Sequence, residues 1–471
     1  MTKLAPTPPD PVIPGPERLY RPPAPVPTTP VRALLRSVFS RQRDLLSLMP
    51  EEAYRVLLTE VGRTRRKIVL VNDPALVRQL LSERAEHFPK NDLMVGALVP
   101  LVGESIFVSS GETWRRQRRM IETAFSRMRV GRAFRGMDAG VADFERRLDP
   151  LAARGEAVSL EAAMSHLTAD IICRTIFSTS LESRAARKIF DAFARFQDSV
   201  ANVQILRLWL GRPWAAVKQP RAVRQASKLI RRRLGAWIDD RLATAARPRA
   251  DIAGDVIAAR DPETGAGFSR EELIDQIGVF FLAGHETTAG ALAWAFFILS
   301  QRPEAVARMR AEIDALCGRG PIGLEAAKKL NFVRNVFRET LRLYPPLAFI
   351  PRVSLEAGRI GGLAVPRGAM IMISPWIMHR HEALWRHPDR FDPDRFLPER
   401  EQEWTQSAYL PFGAGQRLCV GAAFAMLEST LILARLIRGY DVEALNPEAV
   451  RPVTRLTTRS ARGIRVCFRR R

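Results

Sequence analysis

One cysteine of the chain lies in a segment suited to binding iron. Cys419 belongs to the run FGAGQRLCVG, residues 412–421, and an apolar stretch that predicts a helix follows it. Glycines allow a backbone to approach a large flat group closely, and a helix N-terminus favours a thiolate over a thiol. Such a thiolate can be the axial ligand of haem iron. A buried structural cysteine in a turn fits the same residues, and from this segment alone it is the better interpretation.

Two further segments contain an acid and arginines that could pair. Glu339 and Arg342 are three residues apart in a predicted helix, 331–343, which ends before Pro345-Pro346. They therefore share a helix face. The turn FDPDRF, residues 391–396, carries Arg395, which could bring a second guanidinium to Glu339. A surface ion pair worth roughly 0.2–0.5 kcal/mol and an ordinary polar loop are the plainer interpretations.

An acid and a hydroxyl lie side by side in a long apolar helix that the sequence predicts. The segment AGHETT, residues 283–288, contains Gly284, Glu286 and Thr287. A glycine inside a helix costs about 1 kcal/mol relative to alanine, so this one needs a reason. An acid beside a hydroxyl suggests a proton relay, and back-bonding of Thr287 to a preceding carbonyl is the structural alternative. We interpret His285 as a histidine without a catalytic role.

Helices and short strands must position these segments. Residues 112–300 show helical periodicity with polar breaks, and Asp73-Pro74 predicts the start of a short helix. The polar breaks are 246–251 and 261–267, and the strand-like segments are 67–71, 348–373 and 453–468. No repeat or long linker divides the chain. We therefore predict one catalytic domain of α+β class, mainly α-helical, over residues 31–471. A Pro-rich segment, residues 1–30, precedes it and is expected to be extended or disordered.

Composition narrows the class of protein. The 471 residues are 46% hydrophobic and 26% charged, which is ordinary for a globular protein and excludes collagen-like and wholly disordered chains. The four cysteines are far apart, which favours a reducing compartment. The net charge of +23 predicts attraction to an anionic partner. The sequence contains neither a run suited to a transmembrane anchor nor a signal-peptide pattern, so we expect a soluble, cytoplasmic protein.

In their order and spacing, these segments resemble the cytochrome P-450 superfamily, the haem-thiolate monooxygenases. FGAGQRLCVG resembles the family's cysteine loop, ETLR its buried Glu–Arg pair, FDPDRF its arginine-bearing turn and AGHETT its central helix. TWRRQR, near residue 114, resembles the helix that clamps the haem. The resemblance spans nearly the whole chain. It implies the P-450 fold, in which haem b lies between a long central helix and the cysteine loop, with small β-sheets at one side.

The resemblance also implies which residues hold the cofactor. Cys419 would be the thiolate ligand of the iron, and Phe412 would pack against that thiolate. Haem carries two propionates, which suit the planar fork of arginine. The residues expected to bind them are Trp114, Arg118, Arg352 and Arg417.

Catalytic and structural roles follow from the same resemblance. Thr287 and Glu286 would deliver protons during oxygen activation, and Gly284 would leave space for dioxygen. A buried ionic core behind the cysteine loop would be formed by Glu339, Arg342 and Arg395. Burial would make that core costly to break, at roughly 3–5 kcal/mol for the loss of one partner.

Electrons would have to come from another protein. No flavin-binding or iron–sulfur motif is present in the sequence, so the resemblance implies a ferredoxin or flavodoxin with its NAD(P)H reductase. Trp114 and Arg118, which is one helical turn later, would face the haem. This leaves Arg115, Arg116 and Arg119 on another side of the helix, as a docking site for an acidic donor. A solvated basic face without a partner is the alternative.

The implied reaction inserts one oxygen atom from O2 into an apolar organic substrate, by hydroxylation or epoxidation. A haem-thiolate enzyme that uses peroxide, or that catalyses an isomerisation, is the alternative. Those relatives usually lack the acid–alcohol pair that Glu286 and Thr287 form here. A haem sensor or a nucleic-acid binder would use the +23 charge, but the arginines are scattered along the chain, so we expect no nucleic-acid partner.

The substrate pocket is expected to be apolar. Phe281 and Phe349 are expected to line it, within a wall drawn from the central helix and from several other segments. Those segments are 87–111, 190–214, 347–350 and the turn at 456–457. Such a wall fits a fatty acid, a terpene, a steroid or an aromatic compound equally well.

Overall fold

The computed structural model describes residues 20–25, 44–46, 49–61, 66–200, 219–244, 251–454 and 456–471. Most of the Pro-rich segment 1–30 and most of the predicted polar break 246–251 lie outside these residues. The described piece 20–25 packs on the rest of the chain. The Phe391 amide donates to the Tyr20 carbonyl at 2.8 Å, and the Tyr344 hydroxyl donates to the Pro23 carbonyl at 2.6 Å.

Helices dominate the N-terminal half, as the periodicity predicts. Its elements, in chain order, are β1 (Leu58–Glu60), β2 (Ile68–Val71), α1 (Pro74–Arg78), α2 (Asp92–Val102), α3 (Gly111–Ala124), α4 (Arg127–Ala153), β3 (Ala157–Ser159), α5 (Leu160–Ile176), α6 (Arg184–Val200), α7 (Arg221–Ala243) and α8 (Ile252–Ala258). The strand β3 interrupts a region that the sequence pattern predicts to be helical throughout. It pairs with β11 near the C-terminus, a partner about 300 residues away that local periodicity does not reveal.

The C-terminal half alternates helices with short strands. Its elements are α9 (Arg270–Leu299), α10 (Pro303–Cys317), α11 (Leu324–Lys329), α12 (Asn331–Leu343), β4 (Ile350–Val353), β5 (Gly358–Ile360), β6 (Leu363–Val365), β7 (Met370–Ile373), α13 (Pro375–Met378), α14 (Ala422–Gly439), β8 (Tyr440–Leu445), β9 (Pro452–Thr454), β10 (Thr458–Ser460) and β11 (Arg465–Arg470). The mainly helical α+β class is therefore confirmed.

The strands form small separate sheets. The largest has the order β1-β2-β7-β4, with β2 parallel to β7 and the other pairs antiparallel. Every residue of β2 is buried, as expected for the continuous apolar run IVLV. A three-stranded sheet has the order β3-β11-β8, and β9 with β10 forms a hairpin.

The long helix α9 passes through the core. It starts with a capping box, in which the Ser269 side chain and the Glu272 side chain each bond the other's backbone N–H. Its 30 residues span about 45 Å at 1.5 Å per residue. It packs on α5, α7, α12 and α14, so most of its side chains are buried on every side. Among the described residues, no helix is both long enough and apolar enough to cross a membrane.

The ends of the other helices also follow from local sequence. The Asp73 carboxylate accepts from the Ala75 and Leu76 amides at 2.8 and 2.9 Å and so caps α1. The helix α12 ends at Leu343, before the two prolines, and α14 starts at Ala422, after the cysteine loop. The cysteine loop is therefore held between the core and the start of α14.

Candidate active site

A mainly apolar cavity of about 320 Å³ lies between α9 and the loop that carries Cys419. Nine of the predicted site residues line it, drawn from α3, α9, β4 and the cysteine loop. They are Trp114, Arg118, Gly284, Glu286, Thr287, Arg352, Phe412, Arg417 and Cys419. The fold thus brings to one place residues that are more than 300 positions apart in the chain.

The cysteine loop has a shape that requires glycine. Gly415 has φ of +68°, and a Cβ there would lie 2.1 Å from the Leu81 carbonyl oxygen, so no L side chain fits. The Cys419 amide donates to the Phe412 carbonyl at 3.0 Å and closes the loop. The side chain of Cys419 faces the cavity.

Opposing effects act on the pKa of the Cys419 thiol. Burial raises the pKa of the Cys419 thiol, and the Gly421 amide, Arg118 and Lys90 lower it only in part. The Gly421 amide at the start of α14 thus favours the thiolate, and burial opposes it. A coordinating thiol is deprotonated outright by a bound metal. The other three cysteines, Cys173, Cys317 and Cys467, are not in the cavity wall.

Three cations of the cavity wall have no carboxylate partner among the described residues. The Lys90 ammonium donates to the Phe107 carbonyl and lies 3.9 Å from the Phe107 ring centroid. Arg352 donates to the Pro351 carbonyl at 3.0 Å, and Arg417 donates to the Ser109 carbonyl at 2.9 Å. The Nη1 atom of Arg417 is buried without a hydrogen-bond partner. We call Lys90, Arg352 and Arg417 the cavity cations.

Burial perturbs each of the cavity cations. It lowers the pKa of Lys90 well below its usual range, with Arg417 and Arg352 adding to the effect. It also lowers the pKa of Arg352 to about 10 and that of Arg417 to about 10. Positive charges gathered in a dry site without counter-ions are unfavourable unless an anion joins them.

The residues present therefore fit a haem. A flat apolar macrocycle with two carboxylates matches an apolar cavity that has cations on its wall, and Cys419 supplies an iron ligand of the expected type. Lys90 belongs to this set although no sequence motif singles it out. Only its place in the predicted pocket segment 87–111 hints at a role.

Two of the predicted propionate ligands, Arg118 and Trp114, make contacts with other residues of the site. The Arg118 guanidinium donates to the Leu418 carbonyl at 2.6 Å and to the Glu122 carboxylate at 2.7 Å, so it also supports the cysteine loop. The ring of Trp114 lies 4.4 Å from the Arg417 guanidinium carbon, a cation–π contact that orients this arginine.

The acid and the hydroxyl of α9 have different partners. The Thr287 hydroxyl donates to the Ala283 carbonyl at 2.7 Å, which is the back-bonded arrangement. The Glu286 carboxylate accepts from the Thr457 hydroxyl at 2.7 Å and from Arg459 at 3.1 Å. Both side chains line the cavity, but neighbouring residues on a helix are about 100° apart, so they meet different elements.

Gly284 lines the cavity, and helix packing also requires a glycine at this position. A Cβ there would lie 2.7 Å from Ile172 Cδ1 on α5. The absence of a side chain therefore lets α5 approach α9 closely, which accounts for the cost of glycine in the helix.

The histidine of this segment, which the sequence leaves as either a core or a surface residue, lies in the core. His285 is 1% exposed, its Nδ1 atom lies 2.8 Å from the Phe281 carbonyl, and burial lowers the pKa of its ring. The expectation that Phe281 lines the pocket is wrong. Phe281 lies on a side of the helix that faces away from the cavity, where it packs against Phe177 and Phe193. Phe280, one residue earlier, lines the cavity instead.

The remaining pocket predictions have mixed outcomes. Segments 87–111 and 347–350 and the turn at 456–457 contribute to the wall, and Phe349 is among the lining residues. Residues 201–214 of the predicted segment 190–214 lie outside the described residues. Residues 190–196 contribute no side chain to the wall, so this expectation is wrong there; Phe190 packs against His285 instead, with ring centroids 6.0 Å apart.

Glu339 and two arginines form a fully buried cluster apart from the cavity wall. Arg342 donates to both oxygens of Glu339, each at 2.8 Å, and Arg395 donates to one of them at 3.4 Å. The Asp392 amide donates to the same carboxylate at 2.9 Å. These three side chains are at most 1% exposed. We call them the ionic core.

A neutral histidine connects the ionic core to the residues before the cysteine loop. His379 Nδ1 lies 3.0 Å from the Arg342 carbonyl, and its Nε2 accepts from the Leu410 amide at 2.8 Å. Burial lowers the pKa of His379 to about 3, so it is uncharged at neutral pH. The sequence contains no motif that identifies this link.

A second buried carboxyl lies near the site. Glu428 on α14 is 0% exposed, and neither of its oxygens has a partner in good hydrogen-bond geometry. Burial raises its pKa well above the usual range, with Thr288 of the cavity wall as the neighbour that lowers it. Burial therefore favours the protonated form of this carboxyl, and the sequence pattern does not reveal it.

The predicted docking arginines on α3 are not a free basic surface. Arg115 pairs with Glu86 and Glu112. Arg119 pairs with Asp261 at 3.1 Å and with Glu263 at 2.8 Å. In addition, Arg116 pairs with Glu272 at the start of α9. Because carboxylates surround all three guanidiniums, attraction of an acidic partner to this side is weaker than the sequence alone indicates.

Known proteins resemble this chain over most of its length. The family model described as Cytochrome P-450 matches residues 50–468. Cyclooctatin synthase of Streptomyces melanosporofaciens is 33% identical over 84% of this chain and 85% of its own length. Cyclooctat-9-en-7-ol 5-monooxygenase of the same organism is 34% identical over 80% of this chain and 81% of its own length. Pentalenene oxygenase of Streptomyces avermitilis is 30% identical over 83% of this chain and 86% of its own length.

A solved structure supports the same fold. The crystal structure of the cytochrome P450DA heme domain matches with a TM-score of 0.77 at 24% identity, over 96% of this chain and 98% of that chain. Agreement over nearly the entire length shows that the helices and small sheets are arranged alike in both.

Proposed function

Because the chain belongs to the cytochrome P-450 family, we propose that it is a haem b monooxygenase that inserts one oxygen atom into a terpenoid substrate. The electrons come from NAD(P)H through a separate redox partner. The observation that carries the proposal is the set of cavity cations, Lys90, Arg352 and Arg417, which have no carboxylate partner among the described residues and lie in the same wall as Cys419.

The cavity cations and the cysteine have separable roles. Cys419 would bind the iron, and the three cations would bind the propionates through charge-assisted hydrogen bonds. When bound, the haem supplies the redox chemistry. The protein holds the cofactor, excludes water with an apolar wall and brings the substrate close to it.

Proton handling would fall to two side chains of α9. The Thr287 hydroxyl gives its hydrogen to the Ala283 carbonyl, so its oxygen can accept a hydrogen bond from a group in the cavity. The Glu286 carboxylate lies in the same wall and can carry protons between solvent and the cavity. Retention of both side chains favours oxygen insertion over a peroxide-using or isomerising reaction.

The substrate class is supported by the wall and by the relatives. Met94, Leu98, Phe280 and Phe349 make the wall aliphatic and aromatic. Two relatives at 30–34% identity carry names that refer to cyclooctat-9-en-7-ol and pentalenene. A bulky hydrocarbon skeleton with few polar groups suits such a wall, because its burial is driven by apolar surface.

Turnover with defined redox proteins tests the proposal. The haem-loaded protein is supplied with NADPH, a ferredoxin and its reductase, and is given cyclooctat-9-en-7-ol or pentalenene. We expect a product that contains one added oxygen atom, with ¹⁸O from ¹⁸O2. Product formed from peroxide alone, and none with NADPH and the redox proteins, would favour the alternative reaction. Binding of fatty acids in preference to both terpenoids would overturn the substrate class.

A further inference from the structure

The β9–β10 hairpin contacts α9 at Glu286. Thr457 and Arg459 both contact the same oxygen of Glu286, at 2.7 and 3.1 Å. Thr457 and Glu286 line the cavity, together with Leu456. The Glu286 side chain is 13% exposed and the Arg459 side chain 29%. A residue of the cavity wall, Thr457, therefore also holds Glu286.

The hairpin itself is fixed to the core. The Thr458 amide donates to the Pro346 carbonyl at 2.9 Å, and the Thr458 hydroxyl donates to the Pro345 carbonyl at 2.7 Å. On α9, a Cβ placed on Gly290 would lie 3.4 Å from the Thr458 carbonyl. Gly290 is four residues after Glu286 and so lies on the same face of the helix. The hairpin backbone thus lies directly on the face of α9 that carries the acid.

The neighbouring hydroxyl does not fix this acid. Thr287 has a single hydroxyl hydrogen, and it goes to the Ala283 carbonyl. A glutamate has three rotatable side-chain bonds, and ordering it has an entropic cost that its partners must offset. Contacts from Thr457 and Arg459 supply that restraint from outside the helix.

We propose that Thr457 and Arg459 are positioning residues that hold the Glu286 carboxylate at the cavity wall. A bulky apolar ligand that presses on the turn at Leu456 and Thr457 would then shift the acid, so occupancy of the cavity would be coupled to proton delivery. The catalytic consequence rests on the proposed function, whereas the positioning of the carboxylate does not.

Paired variants separate the hydroxyl from the shape of the side chain. Thr457→Val keeps the volume and removes the hydroxyl, and Thr457→Ser keeps the hydroxyl. Arg459→Gln removes the charge. Arg462→Gln is its matched control, because Arg462 is an exposed arginine two residues beyond β10. Crystal structures of the haem-loaded variants report where the Glu286 carboxylate lies, independently of turnover.

We expect the double variant Thr457→Val/Arg459→Gln to release the Glu286 carboxylate from the hairpin. The dissociation constant for cyclooctat-9-en-7-ol, from the spin-state shift of the haem, should change less than about twofold. Product per NADPH should fall roughly fivefold or more, as expected for a displaced proton donor. Thr457→Ser should keep the Glu286 carboxylate in place and retain most of the product per NADPH that Thr457→Val loses, whereas the control Arg462→Gln should behave as the wild type does.

Three outcomes would overturn the proposal. One is a Glu286 carboxylate that keeps its position in the double variant. Another is a loss of product per NADPH in Thr457→Val that Thr457→Ser shares, because that loss would come from packing. The third is unchanged product per NADPH in the double variant. If the wild type oxidises neither terpenoid while the carboxylate moves as expected, the proposed function fails and the positioning role stands.

Discussion

Two groups of buried cations, the ionic core and the cavity cations, differ in what neutralises them. In the ionic core, Arg342 and Arg395 share the Glu339 carboxylate and also donate to backbone carbonyls. Among the described residues, the cavity cations Lys90, Arg352 and Arg417 have only carbonyls as hydrogen-bond partners. The first group is complete within the chain. The second needs an anion from outside, and the propionates of a haem provide one.

This difference separates stability from binding. A buried pair stabilises the fold only while both partners are present, because removal of one leaves an uncompensated charge. A cluster of like charges that awaits a ligand destabilises the empty protein and favours binding of that ligand. In the haem-free protein, mutation of the ionic core should therefore lower the free energy of unfolding, whereas removal of a cavity cation should raise it.

The largest expected effect is on the ionic core. Glu339→Ala should lower the free energy of unfolding by roughly 3–5 kcal/mol, with or without haem, because two guanidiniums lose their carboxylate inside the protein. Urea unfolding of the haem-free protein measures it. The matched control is Glu325→Ala, which breaks an exposed pair with Lys328 at the same i,i+3 spacing and should change nothing measurable. Equal effects at both positions would remove the distinction between the two groups.

Lys90→Met tests the cavity cations. In the haem-free protein the pKa of Lys90 is lowered in the folded state, so between that value and the usual value near 10.4 the unfolded chain binds more protons. Stability should therefore rise with pH over this window, and Lys90→Met should abolish that part of the rise and stabilise the haem-free protein at neutral pH.

Once the cofactor is bound, Lys90→Met should instead be unfavourable, because the variant holds haem less tightly. Loss of one charged hydrogen bond to a propionate should speed haem transfer to apomyoglobin about tenfold. Lys188→Met, at an exposed lysine of α6, is the control and should alter neither property. A Lys90→Met protein that is less stable without haem and retains haem normally would contradict the assignment of Lys90.

Thr287→Ala should affect neither group of cations. Haem retention and substrate affinity should remain, because Thr287 contributes a hydroxyl to the cavity wall rather than a charge. Product per NADPH should fall several-fold with a matching rise in hydrogen peroxide, since protons would no longer be delivered in an ordered way. Thr287→Ser should restore the ratio. Unchanged coupling in Thr287→Ala would place the relay elsewhere.

The smallest effect is expected on the surface of α3. Arg115→Glu with Arg119→Glu should slow haem reduction by a ferredoxin only about twofold and flatten its salt dependence, because both arginines already have carboxylate neighbours. Reduction by dithionite should not change. A change that appears equally with both reductants would mean that the pair supports folding or haem binding rather than docking.

The comparison also explains what the sequence could predict. Glu339, Arg342 and Cys419 lie in short runs that resemble motifs of a known family, so that resemblance predicts their roles before any fold is known. Lys90 and Glu428 lie in no such run, and only tertiary burial shifts their pKa values. Pairs such as Glu286 with Arg459, 173 residues apart, cannot be read from local periodicity.

Phe281 shows the limit of a pattern. A helix that is apolar on all sides gives no sign of which face meets the cavity, so neighbouring phenylalanines look equivalent in the sequence. Packing decides between them, and Phe280 lies in the wall while Phe281 packs beside Phe193. Likewise, the basic run on α3 suggests a free surface because most of the carboxylate partners of its docking arginines, all except Glu112, are distant in sequence.

The most direct test of the central claim is the reduced carbon monoxide difference spectrum of cysteine variants of the haem-loaded protein. If the cavity holds a haem whose iron is bound by Cys419, Cys419→Ser abolishes the thiolate-type band. Serine at Cys173, Cys317 and Cys467 then leaves the band unchanged. A thiolate-type band that persists in Cys419→Ser, or one that disappears on replacing another cysteine, would contradict the account.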